Sequence, residues 1–194
     1  MKIGITGGIG SGKSYICRLL AERGITVYDC DSAAKRLMRE DASLRTQLTS
    51  LIGPDTYLRL TDAEGHTTWQ LNKKAVASFL LASQSNTQAI NAIVHPAVIH
   101  DFETSGMQWM ESAILYESGI SHIVDRVVVV TAPEAVRIQR ITQRDAISSE
   151  KAREWISHQW PQEKLRQLAH FEIINDGQQP LQPQIEQLLS ELNG

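Results

Sequence analysis

The stretch Gly7-Gly8-Ile9-Gly10-Ser11-Gly12-Lys13-Ser14 satisfies the pattern G-x-x-x-x-G-K-[ST] at every fixed position and constrains the fold more than any other part of the chain. Glycines let a backbone curl around an anion with its N–H groups turned inward and no Cβ in the way. Gly8, Ile9, Gly10, Ser11, Gly12, Lys13 and Ser14 are therefore expected to bind nucleotide phosphates. Lys13 would reach the β- and γ-phosphates, and the Ser14 hydroxyl would hold Mg²⁺. The flanks agree: Lys2-Ile3-Gly4-Ile5-Thr6 reads as a buried strand, and Ile16, Leu19, Leu20 and Arg23 recur at helical spacing until Gly24. A helix starting there adds its dipole and unpaired N–H groups to the anion site.

At 194 residues the chain has room for one domain with a modest insertion. Its 19 basic and 22 acidic residues sum to −3, so no overall positive field favours a nucleic-acid partner. Met1 leads straight into a strand without a leader-like segment, and no apolar run nears the ~18 residues of a membrane span. A cytoplasmic protein with no membrane partner is expected. Cys17 lies in the first helix and Cys30 between two acids that disfavour a thiolate, so neither is expected to form a disulfide or bind metal.

Further along, Ile25-Thr26-Val27-Tyr28 reads as a second strand ending in Asp29-Cys30-Asp31. In an open α/β sheet the ligand crevice lies beyond the carboxyl ends of the strands, which brings these acids to the same crevice as the glycine loop. Their chemistry suits a general base for an acceptor hydroxyl and a Mg²⁺ or positioning partner, with Asp31 as the base. Capping of the next helix by Asp31 or Ser32 is the alternative use. Residues 41–71 are polar and weakly periodic, with turns at Gly53-Pro54 and Asp62 to Gly65. Asn72 to Phe102 is helical in pattern, and His95-Pro96 is expected to kink or restart it, leaving His95 at a bend where it contacts substrate or serves packing.

Trp109 to Tyr116 reads as a strand ended by Glu117; Glu111 or Glu117 would orient Mg²⁺ water or be a solvated strand-end acid. Val127 to Val130 is the clearest buried parallel strand. Thr131-Ala132-Pro133-Glu134 then resembles a capping box opening a helix. On that helix Arg137, Arg140 and Arg144 share a stripe; Arg137 can pair with Glu134, while Arg140 and Arg144 are the expected triphosphate contacts. Asp145 to Ser149 reads as a mobile turn in a lid at about 140–150. Trp155 and Trp160 read as core residues. Phe171 to Ile174 is a last strand, and its turn Asn175-Asp176-Gly177 is placed to touch an adenine edge. Leu181 to Leu192 makes a final amphipathic helix.

Taken together, these motifs resemble the dephospho-CoA kinase family over nearly the whole chain. Its T-G-G-I-G-S-G-K-S stands unaltered from Thr6 to Ser14, its D-x-D is Asp29-Cys30-Asp31 and its H-P is His95-Pro96. Ile114-Leu115-Tyr116-Glu117 resembles its L-L-F-E, Gln139-Arg140 to Arg144 with Ser157-His158-Gln159 its lid run, and Ile173-Ile174-Asn175 its V-I-x-N. Tyr15 departs from the family's Thr, Ala113 from a proline, and Lys35 from a common His. The resemblance implies transfer of phosphate from ATP, with Mg²⁺, to the ribose 3′-hydroxyl of dephospho-coenzyme A. It implies catalytic roles for Asp31, Lys13 and Arg140, cofactor contacts including Tyr15, Arg144 and Asn175, Ser14 as the metal ligand, and Thr6, Asp31, His95 and Glu117 on the substrate side.

The expected architecture is α/β, a P-loop NTPase fold with a five-stranded parallel sheet flanked by helices. It forms a single kinase domain with a core at about 1–58 and 106–194, a helical substrate-side region at about 60–105, and the lid. A monomer is expected, with an oligomer left open. Two rival readings are a kinase for another small alcohol or nucleoside, and a nucleotide switch. Asp62 to Gly65 and Asn72-Lys73-Lys74-Ala75 only partly match switch motifs and are better read as turns.

Overall fold

Continuous apolar runs bury both faces of a strand, and here they assemble a parallel sheet. A computed structural model describes residues 1–193. In chain order its elements are β1 (Ile3–Thr6), α1 (Lys13–Ala21), β2 (Val27–Asp29), α2 (Cys30–Glu40), α3 (Ala42–Ile52), β3 (Tyr57–Thr61), β4 (Thr67–Leu71), α4 (Lys73–Ala82) and α5 (Gln84–Thr104). There follow β5 (Trp109–Glu111), β6 (Arg126–Thr131), α6 (Glu134–Asp145), α7 (Ser149–Ser157), α8 (Gln162–Leu168), β7 (Phe171–Ile174) and α9 (Leu181–Asn193). They group into two compact units, one of residues 1–29 with 106–194 and one of residues 30–105.

The first unit holds a five-stranded sheet in the order β2-β5-β1-β6-β7, parallel throughout. β1 is central. From it the chain crosses to β2 on one side and later fills β6 and β7 on the other, so the strand order reverses beside β1 and opens a crevice at the carboxyl ends. Ile3, Ile5, Ile16, Leu19, Leu20, Val128, Val130, Ile173 and Ile185 form one buried cluster that ties α1 and α9 to the sheet. Removing a fully buried leucine such as Leu20 would cost about 2–5 kcal/mol.

Two sequence expectations change here. The strand expected over Trp109 to Tyr116 ends at Glu111, because the chain turns back and buries Leu115 over Gly4, where an added Cβ would come within 2.8 Å of the leucine Cδ2. Thr131 does not cap α6. It is the last residue of β6, its hydroxyl donates to Glu172, and Pro133 precedes the helix without a side-chain cap.

The second unit combines helices with the antiparallel hairpin β3-β4. The weakly periodic segment 41–71 is structured: Asp41 caps α3 by accepting from the Leu44 N–H, and Asp62 Oδ1 closes the hairpin turn by accepting from the Glu64 and His66 N–H groups. Asn72 caps α4, accepting from the Lys74 and Ala75 amides. The expected break at His95-Pro96 is absent. α5 runs through Pro96, and the helical pattern is interrupted instead at Ser83, which caps α5. α5 packs against α2 and α3, and Arg36 pairs with Asp101 at 2.5 Å; packing of this kind outweighs the loss of one backbone donor.

Candidate active site

The phosphate loop leaves β1 at Thr6 and re-enters regular structure at Lys13. Two of its bends require glycine. Gly7 takes φ 147° and a Cβ there would collide with the Val130 carbonyl. Gly12 takes φ 93°, precedes α1 without a side-chain cap, and lies against the Asn175 amide. An uncapped helix start of this kind offers N–H groups to an anion.

Lys13 folds back over the loop. Its Nζ donates to the Gly7 carbonyl at 2.8 Å and the Gly8 carbonyl at 3.4 Å, and stands 3.8 Å from Glu111 Oε1. The Lys13 and Glu111 side chains are only 10% and 12% exposed. Strand register delivers the carboxylate: Glu111 closes β5 level with Ile5 of β1 and Asp29 of β2. Two acids thus stand at adjacent strand ends. The Ser14 hydroxyl, exposed in the first turn of α1, adds a third oxygen donor. Such hard oxygen ligands suit Mg²⁺. Cys17 offers no competing thiolate, because burial and then the charge of Glu111 push its thiol up to about 12.

Among the described residues, Thr6 Oγ1, Ser11 Oγ and Glu117 Oε2 are buried without a hydrogen-bond partner. Orphaned buried acceptors and hydroxyls are uncommon in folded proteins, and a bound ligand is one way to satisfy them. Thr6 stands just before the loop and Ser11 within it, between Gly10 and Gly12. Glu117 Oε1 is engaged, accepting from the Trp160 N–H at 3.1 Å.

The arginine stripe of α6 divides its work differently from the expectation. Arg137 does not pair with Glu134; it turns inward, 4% exposed, and its Nε donates to the Ile9 carbonyl at 2.8 Å. Burial lowers its pKa. Arg140 donates to the Gly10 and Ser11 carbonyls at 3.3 and 3.2 Å, and to the Asn175 carbonyl at 3.0 Å. Asn175 is buried at the end of β7, with its Nδ2 donating to the Ser11 carbonyl at 2.8 Å and its Oδ1 accepting from Arg140 at 3.3 Å. The pair therefore braces the loop from outside, and the Asn175 side chain is spent on the loop instead of being turned to a base edge. Arg144 stands at the last turn of α6, 61% exposed, with its guanidinium on Asp145.

The remaining expected residues are scattered. Tyr15 is exposed in α1, with the Arg18 guanidinium 5.4 Å from its ring centre. Asp31 is exposed in the first turn of α2, two residues past the end of β2, and belongs to the second unit. His95 is half-buried in α5 of that unit, and burial lowers its pKa, so its imidazole is neutral at neutral pH. Sequence reasoning left three residues without a committed role: Glu111, Arg137 and Gln159, whose Oε1 accepts from the Ile9 N–H at 2.6 Å. Glu111 had a usable signal, an acid directly after two apolar strand residues; Arg137 had its place on the arginine stripe and Gln159 its place in the Ser157-His158-Gln159 run, and neither signal pointed to Ile9.

A family model described as dephospho-CoA kinase matches residues 1–180. The chain is 38% identical to a dephospho-CoA kinase of Chlorobaculum tepidum, over 98% of this chain and 94% of that protein. It is also 38% identical to one from Bacteroides fragilis, over 99% and 93% of the two chains. A solved structure from Thermus thermophilus superposes with a TM-score of 0.79 at 28% identity, covering 100% of this chain and 98% of that one.

Proposed function

The chain belongs to the dephospho-CoA kinase family, and on that premise we propose that it phosphorylates the ribose 3′-hydroxyl of dephospho-coenzyme A with ATP, giving coenzyme A and ADP in the last step of coenzyme A synthesis. The observation that carries the chemistry is the glycine loop closed over Lys13, with Glu111 beside it. Phosphoryl transfer asks mainly for charge neutralisation and in-line positioning. Loop amides and the Lys13 ammonium bind the β- and γ-phosphates. Ser14 would hold Mg²⁺ and Glu111, with Asp29, its water shell; the ion, when bound, draws charge from the phosphate oxygens. Arg140 and Asn175 keep the loop in shape. Arg144, free of the loop and followed by Ala146 at the left-handed end of α6, would swing onto the triphosphate with the lid. Asp31 accepts the hydroxyl proton, and His95, Glu117 and Thr6 serve the acceptor side in this reading. A cytoplasmic location and action as a monomer belong to it as well.

The test is ADP release from Mg·ATP with dephospho-coenzyme A, with a panel of nucleosides, and with no acceptor. Release that depends on dephospho-coenzyme A is expected. Turnover only with nucleosides would sink the assignment, and acceptor-independent turnover would favour a nucleotide switch.

A further inference from the structure

Ile9, at the tip of the phosphate loop, is held at both of its backbone polar groups by side chains far away in sequence. Its N–H donates to Gln159 Oε1 at 2.6 Å and its carbonyl accepts from Arg137 Nε at 2.8 Å. Arg137 comes from α6 and Gln159 from just beyond α7, so one arm of the chain grips the loop twice.

The grip is close on both sides. A Cβ at Gly8 would come within 2.7 Å of Arg137 Cζ, and one at Gly10 within 2.8 Å of the Arg137 carbonyl, so two glycines of the loop are what let α6 approach. Among the described residues no carboxylate lies within ion-pair distance of Arg137; the charge of Glu134 reaches it only from farther off, and the guanidinium is buried against the loop. The Gln159 arm is anchored in turn. The Trp160 N–H donates to the half-buried Glu117, and Lys164 stands 3.1 Å from the centre of the Trp160 ring.

We propose that Arg137 and Gln159 are positioning residues that clamp Ile9 and hold the tip of the phosphate loop in its anion-binding shape, with Glu117 anchoring the Gln159 arm. A glycine-rich loop loses much conformational freedom on ordering, and a preset loop spares that loss when phosphate binds. The inference rests on the phosphotransfer reading for its kinetic consequences, and its structural part stands apart from the identity of the acceptor.

The test is amide hydrogen exchange at Ile9, followed by NMR in the nucleotide-free protein, together with steady-state kinetics. Gln159→Met keeps the side-chain length and removes the acceptor; Gln159→Glu keeps an acceptor. Loss of Ile9 protection is expected in Gln159→Met and retention in Gln159→Glu. The kcat of Gln159→Met should fall about five- to tenfold, the worth of one hydrogen bond, with KM for dephospho-coenzyme A unchanged. Adding Arg137→Met should cost less than the product of the single losses, since parts of one unit are not additive. Wild-type exchange at Ile9 in Gln159→Met would overturn the clamp, as would multiplicative losses in the double variant. If the wild-type protein turns over no dephospho-coenzyme A, the functional reading fails, while the exchange at Ile9 still decides the clamp.

Discussion

At the scale of single residues, Asp31 and Glu111 divide the acid chemistry in ways that can be separated. Asp31 stands exposed in the first turn of α2, and Asp31→Asn keeps its shape while removing the proton acceptor. We expect kcat to fall by roughly 10² or more, with ADP affinity by calorimetry intact, since general-base help is worth about 10²–10⁴. A near-normal kcat would remove Asp31 from that role. Glu111 is nearly buried 3.8 Å from Lys13 and is assigned to the metal side. Glu111→Gln should raise the Mg²⁺ concentration for half-maximal rate by about 10- to 100-fold, the usual cost of disturbing a metal's outer partners. ADP binding measured in EDTA should hardly change, because the loop and Lys13 remain. An unaltered Mg²⁺ dependence would leave Glu111 as a partner of Lys13 alone.

Helices and strands show where packing outweighs local preference. α5 continues through Pro96 although proline lacks the N–H and crowds the preceding turn. Pro96→Ala should therefore raise the unfolding free energy, by up to about 3 kcal/mol in chemical denaturation. A loss of stability would mean that the proline supports a local geometry the helix needs. In α6, spacing puts Arg137, Arg140 and Arg144 on one stripe, yet the first two meet the loop and the last meets solvent. A helix lying against a loop touches it only along part of its length, so equal spacing does not give equal roles.

For the whole molecule, pH acts through groups that stay protonated in the fold. Burial and Glu111 raise Cys17 from 9.0 to about 12 in the first unit, and burial raises Tyr57 from 10.0 to about 12 in the second. Both groups hold their protons in the folded state after the unfolded chain has begun to release them. Their stabilisation is complete below the unfolded values and declines as pH rises from about 9 towards about 12. The urea midpoint should accordingly be lower at about pH 10.5 than at about pH 8; an equal or higher midpoint would contradict the shifts. The same contrast between local and distant causes explains what could be read in advance. Gly7 to Ser14, the run Val127 to Val130 and the final strand at Phe171 were legible because backbone freedom and continuous apolarity are properties of neighbouring residues. The helix and hairpin between 41 and 71 were not, because their apolar periodicity is weak and the cap at Asp41 resembles an ordinary turn residue. Sequence by itself thus determined the phosphate loop, the parallel sheet and the family resemblance. Only the tertiary structure decided that Glu111 meets Lys13, that Arg137 faces inward, and that Gln159 holds Ile9 from 150 residues away. Those pairings follow from strand register and helix direction, which are set by the packing of the whole unit and leave no trace in the spacing of nearby residues.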